Sequence, residues 1–201
     1  PGAVETESQR ALSGGLAEAV KAPLVGDPVL LELLEELSER HQRGAAPLLR
    51  GIAADLDEIV RRSLAVKIAI VGADEREAGV RAWLNLGHTL AHALEAAQGY
   101  GGLTHGEAVA IGVVAALRVG ERRGVTRPGL AARTAKLLQG LGLPIGVPSE
   151  LAAEAAAHLA RDKKRRGAQL GFVVVRDVGR CEVLWSDPAA LASELASAAA
   201  E

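Results

Sequence analysis

The chain has 201 residues, 49% of them hydrophobic and 24% charged, and a formal net charge of −2. That length supports a substantial core, and the near-neutral balance excludes a broad electrostatic affinity for nucleic acid or an acidic membrane surface. Its single cysteine, Cys181, excludes an intrachain disulfide framework; with no signal-peptide pattern and no uncharged apolar run of about 18 residues, a soluble, cytoplasmic protein is expected.

Aromatic residues make up 2% and methionine is absent, so Leu, Val, Ala and Ile must build the core, and the many alanines favour closely packed helices. In chain order, residues 1–12 read as a linker and 13–201 as one helical metal- and substrate-binding domain. A short helix is expected over Leu16–Lys21, limited by Pro23. Within it, Glu18 and Lys21 stand three apart, the spacing of a surface ion pair. Asp27-Pro28 supplies a cap and a first-turn proline for a helix reaching about Gln42. A further helical stretch is expected from near Pro47. A long helix follows over about 57–71, with Ile59, Leu64, Ile68 and Val71 on its apolar positions and Lys67 embedded among them.

Arg81, Asn85, His88 and His92 follow at spacings of four, three and four, which places them on one face of a single helix. The run from Gly106 to Gly120 is nearly all small or apolar and reads as a buried central helix, with Gly112 permitting close packing. A helix over Leu130–Gly140 and an Ala-rich helix from Ser149 to about Arg161 come next. Asp162–Gly167 is a basic cluster. Leu170–Val175 and Cys181–Trp185 make a small hairpin, and Asp187-Pro188 caps a last helix. The fold class expected is therefore mainly α: a multi-helix metal-binding domain with a small β-hairpin near the C-terminus.

Three of the five histidines fall between Arg81 and Glu107. Two helices joined by a tight loop can bring His88 and His105 to one metal ion, with His92 beside it as a proton carrier. Two histidines, a carboxylate and an open position form a catalytic zinc set. Spacing alone leaves the carboxylate open among Glu18, Glu95 and Glu107. Lys21, Lys67, Arg81 and Lys163 or Lys164 suit a small polyanionic substrate. H-x-x-x-H without an adjacent Glu argues against a peptidase.

The segments G-L-A-E-A-V-K at 15–21, D-E-R-E-A-G-V-R-A-W-L-N-L-G-H-T-L-A-H-A-L-E at 74–95, H-G-E-A-V-A-I-G at 105–112, L-G-L-P at 141–144 and D-K-K at 162–164 resemble, in order and approximate spacing, the C-terminal domain of the 3-dehydroquinate synthase family of sugar-phosphate cyclases. The resemblance implies zinc or cobalt held by Glu18, His88 and His105. It implies a substrate surrounded by Lys21, Lys67, Arg81, Asn85, His92 and one of Lys163 and Lys164. It also implies a lyase of the shikimate pathway of aromatic amino-acid biosynthesis, converting 3-deoxy-D-arabino-heptulosonate 7-phosphate to 3-dehydroquinate and phosphate. The route is transient oxidation by NAD, phosphate loss, re-reduction, ring opening and aldol closure. On this reading the NAD-binding N-terminal domain is absent from the 201 residues and would have to be supplied as a further domain or chain. A homodimer is compatible with it. Two positions depart from the family pattern. Ala11 stands where an acidic residue is usual, which bears on one expected cofactor contact, and Ala91 stands where Gly is common. The competing readings are a sibling cyclase making 2-deoxy-scyllo-inosose or aminodehydroquinate, a metal-dependent polyol dehydrogenase, and a non-catalytic helical remnant.

Overall fold

The computed structural model describes residues 7–43, 55–76, 79–98, 102–162 and 169–200. The helix expected near Pro47 and the basic residues Lys163 and Lys164 lie outside them. The order is α1 (Gln9–Val25), α2 (Pro28–Gln42), α3 (Leu56–Ala73), a 3-10 helix (Val80–Asn85), α4 (His88–Gln98), α5 (His105–Arg122), α6 (Leu130–Gly140), α7 (Ser149–Asp162), β1 (Leu170–Asp177), β2 (Arg180–Ser186) and α8 (Pro188–Ala199). The mainly helical class with a C-terminal hairpin is as the sequence reading expects. Among the described residues, no helix is long and apolar enough to cross a membrane.

Helix α5 is the axis of the domain. From Ala108 to Leu117 all its residues are buried, and α1, α4, α6, α8 and β1 pack around it. Thr104 and Glu107 form a capping box at its start: Glu107 N–H donates to Thr104 Oγ1 (3.3 Å) and Thr104 N–H to Glu107 Oε2 (2.7 Å). Arg10 donates to both Glu107 oxygens (2.6 and 2.7 Å), tying the start of α1 to the start of α5. That pairing holds the Glu107 carboxyl below the usual carboxylate range.

Helix α1 is longer than the sequence suggests. It starts at Gln9, absorbs Ser13-Gly14-Gly15 and passes through Pro23. The two elements need each other: a Cβ on Gly106 of α5 would overlap the Gly14 backbone, so α1 approaches where neither helix carries a side chain. Pro23 forfeits one amide bond in the last turn only, and Gly26 N–H closes that turn on Ala22 O at 2.8 Å. Helices α2 and α8 begin as the Asp-Pro pairs predict. The Asp187 carboxylate accepts from the amides of Ala189 and Ala190 (2.9 and 3.0 Å).

Two expectations are corrected. Arg81, Asn85, His88 and His92 do not share one helix. The 3-10 helix ends at Asn85, Leu86 is extended, and Gly87 takes φ +81° before α4 begins at His88. A Cβ on Gly87 would sit 2.7 Å from the Val113 nitrogen, and one on Gly112 would overlap the Gly87 carbonyl. This glycine-on-glycine contact seats α4 on α5. In α3, Ile59 is buried, but Leu64 and Ile68 are 51% and 69% exposed, so the apolar periodicity overstates that helix's buried face.

The hairpin pairs β1 with β2 in antiparallel register, Leu170 opposite Ser186 and Val175 opposite Cys181. Its turn uses Gly179 at φ +75°, whose N–H donates to Leu24 O (3.0 Å) at the end of α1. Cys181 sits beneath it, and burial pushes its thiol up to about 12. The folded chain therefore holds this proton more tightly than the unfolded chain does. The stability so gained is present below the ordinary thiol range near 9 and lost as pH rises toward about 12. We predict that native Cys181 resists alkylation at pH 8 and reacts in urea. A Cys181→Ala chain should show a flatter decline in unfolding midpoint between pH 9 and 12 than the parent.

Candidate metal centre and anion site

Three elements converge on the ligand set. Glu18 lies mid-way along α1, His88 opens α4, and His105 opens α5 directly after its cap. The capping box and the Gly87–Gly112 contact thus fix the starting points of the two helices that carry the histidines. Glu18 Oε1 lies 3.9 Å from His88 Nε2 and 3.7 Å from His105 Nε2, and one ligand atom from each of the three residues lies within 4.8 Å of the others. Ligand atoms on a tetrahedral zinc with bonds of about 2.0–2.1 Å stand about 3.3 Å apart. The Glu18 side chain, 47% exposed, is free to move the few tenths of an ångström that separate its two distances from that value. The donor chemistry of two imidazoles and one carboxylate fits zinc or cobalt.

The three carboxylates left open by the sequence divide their roles here. Glu18 faces both Nε2 atoms. Glu95 Oε1 takes the other side of His105, 2.7 Å from Nδ1. Glu107 is engaged by Thr104 and Arg10, and the Thr-x-x-Glu spacing of 104–107 is the sequence signal for that capping role.

Lys21 is no surface ion pair: it is 5% exposed, with Nζ 3.1 Å from Glu18 Oε2 and 3.3 Å from His88 Nδ1. Burial lowers its pKa; Glu18 opposes that shift and Lys67 adds to it. His88 is also shifted down, first by burial and then by Lys21, which favours the neutral imidazole a metal requires. Its Nδ1 lies 3.3 Å from both Leu86 O and Lys21 Nζ, and one nitrogen cannot donate to the first while accepting from the second. Were Nε2 to ligate a metal, Nδ1 would carry the proton and donate to Leu86 O. The His92 ring stands edge-on to His88, centroids 5.3 Å apart.

Beside the ligands opens a cavity of about 640 Å³ between α1, α3 and the 3-10 helix, lined by Glu18, Lys21, Lys67, Asn85 and His88 among others. Ser63, one turn before Lys67, lines it too, and sequence reading gives it no signal. The structure thus brings Lys21, Lys67 and Asn85 together with the ligand set. Arg81 is directed elsewhere: its Nη1 donates to Glu75 O at 2.7 Å and its backbone N–H to Asp74 Oδ2 at 3.0 Å.

Fold and site together define a helical domain with a candidate two-histidine, one-carboxylate ligand set beside a cavity to which Lys21 and Lys67 contribute cations. The family model for the 3-dehydroquinate synthase C-terminal domain matches residues 15–165, and the chain belongs to that family. It is 45% identical over 181 residues to 3-dehydroquinate synthase of Pseudomonas entomophila, covering 90% of this chain and 48% of that relative. It is 43% identical over 185 residues to the enzyme of Azotobacter vinelandii, covering 91% and 48%. The chain thus spans about half the length of the curated relatives it matches. Among solved structures it is similar to 2-epi-5-epi-valiolone synthase from Streptomyces hygroscopicus with NAD+ and Zn2+ bound, at TM-score 0.74 and 25% identity, covering 99% of this chain and 54% of that one. The fold also matches 2-deoxy-scyllo-inosose synthase complexed with carbaglucose-6-phosphate, NAD+ and Co2+, at TM-score 0.74 and 20% identity, covering 96% and 52%.

Proposed function

We propose that this chain is the metal- and substrate-binding half of a 3-dehydroquinate synthase, working with an NAD-binding domain or chain that corresponds to the rest of its relatives' length. The reaction is conversion of 3-deoxy-D-arabino-heptulosonate 7-phosphate to 3-dehydroquinate and phosphate. The observation that carries this reading is the convergence of Glu18 with both Nε2 atoms beside the buried Lys21. Relatives above 40% identity bearing that enzyme's name favour this substrate over those of the sibling cyclases.

Glu18, His88 and His105 would hold the metal, which supplies Lewis-acid polarisation of a substrate hydroxyl when bound. Lys21 and Lys67 present ammonium groups to the phosphate and carboxylate of the substrate, and Asn85 adds a neutral polar contact. Arg81 joins them once its bond to the Glu75 carbonyl is exchanged for one to an anion. His92 serves as the proton carrier at the exposed side of the ligand pair, and Lys163 or Lys164 contributes one further cation. The burial of Lys21 places its ammonium where charge is screened less than at the surface, which strengthens its attraction for an anion.

The isolated chain should bind metal weakly and show no turnover. Joined to the NAD-binding half of a relative such as the Pseudomonas entomophila enzyme, it should release phosphate from 3-deoxy-D-arabino-heptulosonate 7-phosphate only with NAD and a divalent metal present. Release from a hexose phosphate instead would assign it to a sibling cyclase, and net NADH production from a polyol would make it a dehydrogenase.

Lys21→Met separates function from stability. A buried ammonium is expensive to desolvate, and its partner Glu18 is solvated enough to stand alone. The variant should therefore unfold at or above the parent midpoint while losing anion binding in the assembled enzyme. A fall of several degrees would show that Lys21 serves the fold.

A further inference from the structure

The two ligand histidines are held in different ways. His88 is 17% exposed and has the Leu86 carbonyl 3.3 Å from Nδ1. His105 is 51% exposed at the first residue of α5, so packing constrains its ring far less. Its Nδ1 instead faces Glu95 Oε1 at 2.7 Å. Glu95 stands on α4 seven residues, about two turns, after His88, so one helix presents a ligand and, on the same side, a carboxylate directed at the other ligand. We propose that Glu95 is a positioning residue for the metal centre: it accepts the Nδ1 proton of His105 and fixes the ring so that the Nε2 lone pair faces Glu18 and a divalent cation. This rests on the reading of Glu18, His88 and His105 as ligands.

A neutral imidazole carries one ring proton, and a carboxylate can only accept. At 2.7 Å the proton therefore lies on Nδ1, and the Nε2 lone pair is left facing Glu18 Oε1. A carboxylate behind a ligating imidazole is worth about 10–100-fold in metal affinity. The contact also bridges α4 and α5, so it couples the ring of one ligand to the helix that carries the other.

The test compares the parent chain with Glu95→Gln, Glu95→Ala and His105→Ala, and with the double variant Glu95→Gln/His105→Ala. Zinc affinity is read by chelator competition, cobalt coordination by visible absorption, and folding by unfolding midpoint. The glutamine and alanine variants should lose about 10–100-fold in zinc affinity with a shifted cobalt spectrum and an unchanged metal-free midpoint. In the double variant, Glu95→Gln should add nothing to the loss from His105→Ala. Parent-like zinc affinity and cobalt spectrum in both Glu95 variants, alongside a loss in His105→Ala, would overturn the role of Glu95. So would an equal Glu95 effect with and without His105, or a fall in the metal-free midpoint that accounts for the lost affinity. If His105→Ala itself binds zinc like the parent, the ligand assignment fails instead.

Discussion

Replacing Gly112 with alanine should lower stability by about 3 kcal/mol and the unfolding midpoint by roughly 6–12 °C. The added methyl has nowhere to go: it falls on the Gly87 carbonyl, and Gly87 is itself held at φ +81° against the Val113 amide. Both partners are backbone in a fully buried contact, so relief requires α4 to lift from α5. That movement carries His88 away from His105, and zinc affinity should fall with stability. Gly72→Ala is the control, because a Cβ there meets nothing within 4 Å in helix α3. It should be neutral or stabilising by up to about 1 kcal/mol. Equal effects of the two substitutions in thermal denaturation would remove the close helix approach from the account.

His88→Ala should abolish stoichiometric zinc binding. At equilibrium with excess free zinc, elemental analysis should find one zinc per parent chain and close to none per variant chain. Loss of a direct ligand should exceed the roughly 10–100-fold that outer contacts cost. His158→Ala changes a half-buried histidine on α7, away from the ligand set, and should bind zinc like the parent. Equal metal content in the parent and His88→Ala would favour a non-catalytic helical domain.

Elements set by local chemistry were readable from the sequence. Asp-Pro pairs start α2 and α8, an unbroken small-apolar run makes α5, and β-branched runs around Gly179 make the hairpin. The pairing of His88 with His105 was also within reach, because a loop between two helices limits where each can lie. What escaped the sequence depends on contacts between distant segments. Gly14-Gly15 and Pro23 read as helix breakers, yet α1 runs through them because Gly14 packs on Gly106. Gly87 falls inside the helix that the Arg81–His92 stripe implies, yet the helix is interrupted there because Gly112 lies opposite. The choice among Glu18, Glu95 and Glu107 rested on resemblance to a family, since spacing carries no information on which carboxylate a tertiary fold brings to an imidazole. Lys21 looked like half of a surface pair because i,i+3 spacing says nothing about what covers the helix face.

The proposed chemistry depends on a single divalent cation held by Glu18, His88 and His105. X-ray absorption on the zinc-loaded chain tests it most directly. Two imidazole nitrogens at about 2.0–2.1 Å, completed by oxygen ligands, are expected, with one imidazole lost in His105→Ala. A zinc shell made only of oxygen, or one whose imidazole count is the same in parent and variant, would contradict it.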